Sequence, residues 1–176
     1  MWPRLTDSMS SNLVGIEWFA DEVMPLLQKL GFQAPVRVVG SGMNRKKIEE
    51  LEEKGLQILG AQEDLEDIYL SSRIAIIPLL TGAGRKGKLG EALSYGIPTV
   101  STTVGAEGFT SIETSGVIVT DSPSHMAEEI LRIHDSKEHW LNLAGLGQRY
   151  CMENLSSAAM KQEILRLMSI ESEDDE

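Results

Sequence analysis

The chain has 176 residues, 41% of them apolar and 24% charged, and its 16 lysines and arginines stand against 27 aspartates and glutamates for a net charge of −11. That length suits one globular domain able to bury roughly 70% of its unfolded surface, so a sizeable core is available. An acidic surface with a pI near 4.8 disfavours coating nucleic acid or an anionic membrane, leaving only a local basic site as a polyanion contact.

Residues 1–11 lack the basic-then-apolar order of a secretory leader, and no apolar run in the chain approaches the roughly 20 residues of a membrane span. With a single cysteine, Cys151, there is neither an internal disulfide nor a thiolate cluster. A cytoplasmic protein is expected, with residues 1–11 poorly defined, a domain over 12–170, and a disordered acidic tail over 171–176, where five of six residues are acids.

Over 13–30 apolar residues recur at helical spacing, including Ile16, Phe19, Val23 and Leu27, which predicts an amphipathic helix that Pro25 kinks or restarts and Gly31 ends. Residues 36–39 form a β-branched run closing in Gly40-Ser41-Gly42, and a helix is predicted over 44–54. The unit repeats: a strand over 56–59 ends at Gly60, and Asp64 can cap a helix over 65–72. Residues 74–77, Ile-Ala-Ile-Ile, are apolar without alternation, as in the middle of a parallel sheet covered on both faces. A glycine-rich loop over 81–87 leads into a helix to about Tyr95. Strands over 99–102 and 116–120 precede helices over 124–134, 137–153 and 156–168, the first opened by Pro123. Alternating strands and helices specify an α/β, Rossmann-like three-layer sandwich around a parallel sheet of five to six strands. Ligands of such sheets bind at the carboxyl ends of the strands, so the loops near 40–43, 60–64, 79–88 and 103–109 are the ones to interrogate.

The segment from Thr81 to Glu91 carries the most chemistry. Gly82, Gly84 and Gly87 let a ligand approach the backbone, and Arg85, Lys86 and Lys88 concentrate three cations in an acidic chain. This is a phosphate or diphosphate cradle, or else a flexible loop with solvated lysines. It is no P-loop, because leucine follows Gly87-Lys88 where magnesium binding requires Ser or Thr. Glu91 would repel phosphate; it either accepts from a ribose diol or simply favours a helix N-terminus. His125, His134 and His139 have no carboxylate or cysteine at metal spacing, Ser101 has no nucleophile elbow around it, and Gly40-x-Gly42 lacks the third glycine of a dinucleotide fingerprint.

The run Gly82-x-Gly84-x-Lys86-x-Lys88-x-x-Glu91-Ala92-Leu93-x-x-Gly96-x-Pro98, continued by Gly105-x-Glu107-Gly108, resembles the donor-binding motif of retaining GT-B glycosyltransferases of family 4, the group 1 type. Asn12 with Trp18-Phe19, Val39-Gly40-x-Gly42, and Gly60 with Asp64 and Tyr69 resemble further landmarks of the C-terminal half of those enzymes. The resemblance covers about residues 12–167. It implies that Glu91 holds the ribose hydroxyls of a nucleoside-diphosphate sugar and that Thr81, Gly82, Ala83, Gly84, Arg85, Lys86 and Lys88 face the diphosphate and the sugar. Gly40, Gly42 and Gly60 would lie near the phosphate and base. It also implies hexosyl transfer with retention, without cofactor or metal. Ala83 stands where many members carry a second glutamate. The strand expected before Asn12 is weak or missing, and an N-terminal acceptor half has no counterpart, so activity is expected to require a partner chain that supplies it or self-association that imitates it. A non-catalytic binding module and a sugar-nucleotide epimerase remain as alternatives.

Overall fold

The computed structural model describes residues 10–156. The segment over 1–9, nearly all of the expected helix over 156–168, and the acidic tail lie outside the described residues.

The chain opens with α1 (Ser11–Trp18), whose first turn is capped by the Ser10 side chain accepting from the Leu13 N–H. The single helix expected over 13–30 is divided. After α1 comes one wide π-helical turn, Phe19–Val23, and then α2 (Met24–Lys29). Pro25 explains the division: it has no N–H and its ring clashes with the preceding turn. The wide turn absorbs the break, because the Met24 N–H donates one residue further back than usual, to the Phe19 carbonyl. Gly31, at φ +85°, ends the helix with Phe32 bonded back to the Leu27 carbonyl, the closure a left-handed residue allows.

Next come β1 (Val36–Val39), α3 (Arg45–Glu53) with Asn44 as its cap, β2 (Leu56–Gly60), α4 (Glu66–Leu70) and β3 (Ala75–Ile77). Asp64 does not cap α4 as expected. Leu65 occupies the capping position and Asp64 accepts from the Glu66 N–H at 2.9 Å, an Asx turn just ahead of the helix. The last part runs α5 (Gly87–Ser94), β4 (Thr99–Ser101), a short 3-10 turn at Ile112–Thr114 with no forecast in the sequence, β5 (Val117–Val119), α6 (Pro123–Asp135) and α7 (Lys137–Asn154).

All strand pairs are parallel, but they do not form the single sheet of five to six strands that the sequence predicts. Among the described residues β1 pairs with β2, and β3, β4 and β5 form a second sheet in that order. The strand expected at the middle of a sheet, β3, therefore has a partner on one side only among the described residues. Both sheets lie on the same helical layer. Val36, Val38 and Ile58 from the first, and Ile74, Ile76, Val100 and Ile118 from the second, pack against Phe19, Val23 and Leu27 of the N-terminal helices and Met126 and Ile130 of α6. On the opposite side, α5 and α7 enclose a smaller cluster built on Leu89, Leu93, Phe109 and Tyr150.

Candidate functional site

The loops after β1 and β3 come together at the carboxyl ends of the strands, at the mouth of a cavity of about 680 Å³ between the two sheets. Gly40 closes β1 by donating to the Gly60 carbonyl at 2.9 Å, and takes φ +153° while Gly42 takes φ +94° and Gly60 φ +70°. A side chain would strain at each of these values.

On the other side of the mouth, α1 presses against the exit of β3. Gly15 lies so close to the Pro78 carbonyl that a Cβ there would collide with it. This contact puts the start of α1 beside the glycine loop, and the Asn12 Oδ1 accepts from the Lys88 Nζ at 2.6 Å. Crowding by protein atoms, and secondarily the neighbouring Lys86 charge, lowers the Lys88 pKa. An anion beside it would favour the charged form.

Glu91 lies one turn into α5, exposed, and accepts from the Tyr69 hydroxyl at 3.2 Å. Tyr69 in turn stacks on Tyr95, with ring centroids 4.8 Å apart. Burial, then the adjacent Glu91 charge, pushes the Tyr69 phenol up to about 12. The aromatic pair beside Glu91 was not identified from sequence as part of the site, although Tyr95 follows Glu91 by four residues, the spacing that places two residues on one helical face.

Of the sequence-predicted site residues, Gly40, Lys88 and Glu91 line the cavity together with Asn12 and Tyr69; the others stand outside its wall. Thr81, Gly82, Ala83, Gly84 and Arg85 form an exposed loop at the rim. Lys86 turns inward, its side chain only 10% exposed, with its Nζ 3.8 Å from the Glu107 carboxylate. The Arg85 guanidinium lies 4.7 Å over the Phe109 ring, held there because Gly108, at φ +82°, lets the next loop run against the Arg85 backbone. Asp121 pins that next loop by accepting from both the N–H and the hydroxyl of Thr103. The arrangement is a rim with three cations on one side and an exposed carboxylate about one helical turn away. It can meet an anion and a hydroxyl-bearing group on the same ligand. Among the described residues no group of three or more His, Cys, Asp or Glu side chains gathers in a position to hold a metal ion.

Comparison with known proteins gives this geometry a family. The profile described as "Glycosyl transferases group 1" matches residues 6–136. The chain belongs to the group 1 glycosyltransferases. A relative of this glycosyltransferase chain is an uncharacterised 44.6 kDa protein of the cps region of Klebsiella pneumoniae, 24% identical over 90% of this chain and 43% of its own length. Similar solved structures include Anabaena HepE in complex with UDP, at a TM-score of 0.67 and 14% identity over 85% of this chain and 44% of HepE. Staphylococcus aureus TarM matches at a TM-score of 0.70 and 16% identity over 86% of this chain and 32% of TarM. These likenesses place the glycosyltransferase chain in the GT-B fold. It spans less than half the length of each of these relatives. Among its described residues no helix is long and apolar enough to cross a membrane.

Proposed function

We propose that this chain is the nucleoside-diphosphate-sugar-binding half of a retaining, family-4 glycosyltransferase that moves a hexosyl group. The observation that carries the reading is the convergence of Lys88, Glu91 and Gly40 at one cavity mouth, beside a glycine rim bearing Arg85 and Lys86. In this reading the Glu91 carboxylate accepts from the ribose diol, with its second oxygen already oriented by the Tyr69 hydroxyl. The diphosphate faces Lys88 and the loop from Thr81 to Lys86. Gly40, Gly42 and Gly60 leave room for the nucleoside.

Transfer would proceed as the bond between the sugar's anomeric carbon and the terminal phosphate oxygen breaks and a bond to an acceptor hydroxyl oxygen forms on the same face. The acceptor's proton is lost and the nucleoside diphosphate departs with the extra negative charge. Cations fixed where that charge develops lower the barrier, and Arg85, Lys86 and Lys88 are the groups this chain offers. The acceptor side of the cleft belongs to a partner half. Crystals of HepE with UDP-glucose and of TarM with UDP make UDP and its sugars the first ligands to try.

Calorimetric titration with UDP, UDP-glucose, GDP and ADP tests the reading. One nucleotide should bind, and Glu91→Ala and Lys88→Ala should each weaken it by roughly tenfold or more, the scale of a lost hydrogen bond to a charged group. Absence of binding at millimolar ligand to folded protein would refute it.

A further inference from the structure

Three side chains stand in a row on the outward face of α5. Lys88, Glu91 and Tyr95 follow one another at three and four residues, the spacing that sets side chains one above the next on a helix, while Leu89, Ala92 and Leu93 turn inward and are buried. With a rise of about 1.5 Å per residue, Glu91 lies about 4.5 Å beyond Lys88 along the axis and Tyr95 about 6 Å beyond Glu91. The helix still holds Tyr95, whose N–H donates to the Glu91 carbonyl at 3.3 Å, and Gly96, at φ +68°, then turns the chain away.

The Tyr95 ring is fixed from behind. It lies within 10° of parallel to the Tyr69 ring, and Tyr69 is itself anchored by its hydroxyl to the Glu91 carboxylate. The stack therefore keeps its orientation relative to Glu91. Tyr69 covers one face of Tyr95, yet Tyr95 remains 37% exposed, among the large hydrophobic side chains left open to solvent. An aromatic ring held rigid on one side and wet on the other is a stacking surface.

Charge divides along the same row. Arg85, Lys86 and Lys88 gather at the amino-terminal end of α5. Carboxylates gather at the Tyr95 end. Glu66 precedes Tyr69 by three residues on α4 and so shares the face that carries the stack, and Asp64 binds the Glu66 N–H from the loop after β2. Burial, and then the charges of Glu66, Asp64 and Glu91, push the Tyr95 phenol up. A diphosphate is drawn to the cationic end and repelled from the acidic one. A nucleotide held by its ribose at Glu91 therefore has one favoured direction, with its phosphates toward Lys88 and its base toward Tyr95.

We propose that Tyr95, backed by Tyr69, is the platform on which the nucleobase of the donor stacks, so that base, ribose and diphosphate lie in order along α5 over Tyr95, Glu91 and Lys88. Every base has a π face, so the platform adds affinity without choosing among bases. The ring does this and the Tyr95 hydroxyl does not. The inference rests on the reading of Glu91 as the ribose ligand and adds the group that receives the remaining part of the nucleotide.

The test separates base from ribose. The tightest binder among UDP, GDP and ADP is compared by calorimetry with ribose 5-diphosphate, which lacks a base, on the native chain, Tyr95→Leu and Tyr95→Phe. The nucleotide should bind the native chain roughly tenfold or more tightly than ribose 5-diphosphate does, the scale of one base stacked on an aromatic ring. Tyr95→Leu should weaken the nucleotide by roughly tenfold and leave ribose 5-diphosphate within about twofold, whereas Tyr95→Phe, which keeps the ring, should bind both as the native chain does. In proton NMR the base protons of the bound nucleotide should move upfield over Tyr or Phe and not over Leu, because a ring face shields what lies above it. Unchanged nucleotide binding by Tyr95→Leu would overturn the proposal. So would equal weakening of nucleotide and ribose 5-diphosphate, since the ring would then only brace Tyr69 against Glu91. Ribose 5-diphosphate binding as tightly as the nucleotide would leave the donor site standing and remove the platform, and binding of neither ligand would refute both.

Discussion

Glu91 is exposed, yet one of its oxygens is occupied by Tyr69, and that pairing makes the site testable without a ligand. Because burial is the larger cause of the raised Tyr69 pKa and Glu91 the smaller, the phenol should titrate near about 12 in the intact chain, against an ordinary value of about 10. Glu91→Gln should bring the midpoint only part of the way down. Ultraviolet difference titration against Tyr69→Phe isolates the step. The folded state holds this proton more tightly than the unfolded state, so the stabilisation is complete below about pH 10 and is lost as pH climbs from about 10 to about 12. A midpoint at the ordinary value would mean the hydroxyl is not held against Glu91. Lys88 shifts the other way, lowered by burial and by Lys86. Between its folded value and the ordinary 10.5 the unfolded chain binds more protons, so this group's contribution to stability improves as pH rises through that interval. A bound diphosphate should restore the charge. Nucleotide titrated in that interval in buffers of different ionisation enthalpy should show net proton uptake, and Lys88→Met should abolish it.

At the scale of elements, the site depends on how closely α1 approaches the exit of β3. Gly15 permits that approach, and Gly15→Ala drives a Cβ into the Pro78 carbonyl. The cost should be about 1–3 kcal/mol, as for other overpacked contacts, measured by urea denaturation. The same variant should weaken nucleotide binding by carrying Asn12 away from Lys88. An unchanged midpoint would show that α1 is free to move. The elements themselves were largely legible, because their signals are local: Pro123 at the start of α6, Gly31 and Gly40 at ends, and the β-branched run of β1. What was not legible depends on tertiary partners. Pro25 announces a break, but only packing of Phe19 and Val23 against α6 decides that a π turn absorbs it. Asp64 is a competent cap whose chain position is one residue early. The Ile74–Ile77 run encodes a strand buried on both faces without encoding whether a neighbour is present, so the division into two sheets could not be read from it. The candidate site shows the same limit. Gly82 to Glu91 was visible as a contiguous motif, whereas the partnerships of Glu91 with Tyr69 and of Lys88 with Asn12 span 22 and 76 residues of sequence.

At the scale of the molecule, the two sheets are separated by the cavity yet share one helical layer, and that layer should make them unfold together. Leu27, fully buried in α2, belongs to the cluster that touches both sheets. Leu27→Ala should cost about 2–5 kcal/mol and leave a single transition in which far-ultraviolet circular dichroism and tryptophan fluorescence coincide. Separate midpoints would show that the β1–β2 unit melts on its own. The shared layer is also what holds Gly40 of one sheet opposite Lys88 and Glu91 of the other, so the site is a property of the whole molecule.

The claim on which the function rests is that the Glu91 carboxylate receives the ribose diol. It is tested most directly by a binding cycle: whichever of UDP, GDP or ADP binds tightest is compared with its 2′,3′-dideoxy analogue, on the native chain and on Glu91→Ala. Loss of the diol should weaken binding to the native chain by roughly tenfold or more and change binding to Glu91→Ala by less than about twofold, because the two deletions remove the same interaction. Equal losses on both proteins would contradict the assignment of Glu91 and remove the ribose from this side of the cavity mouth.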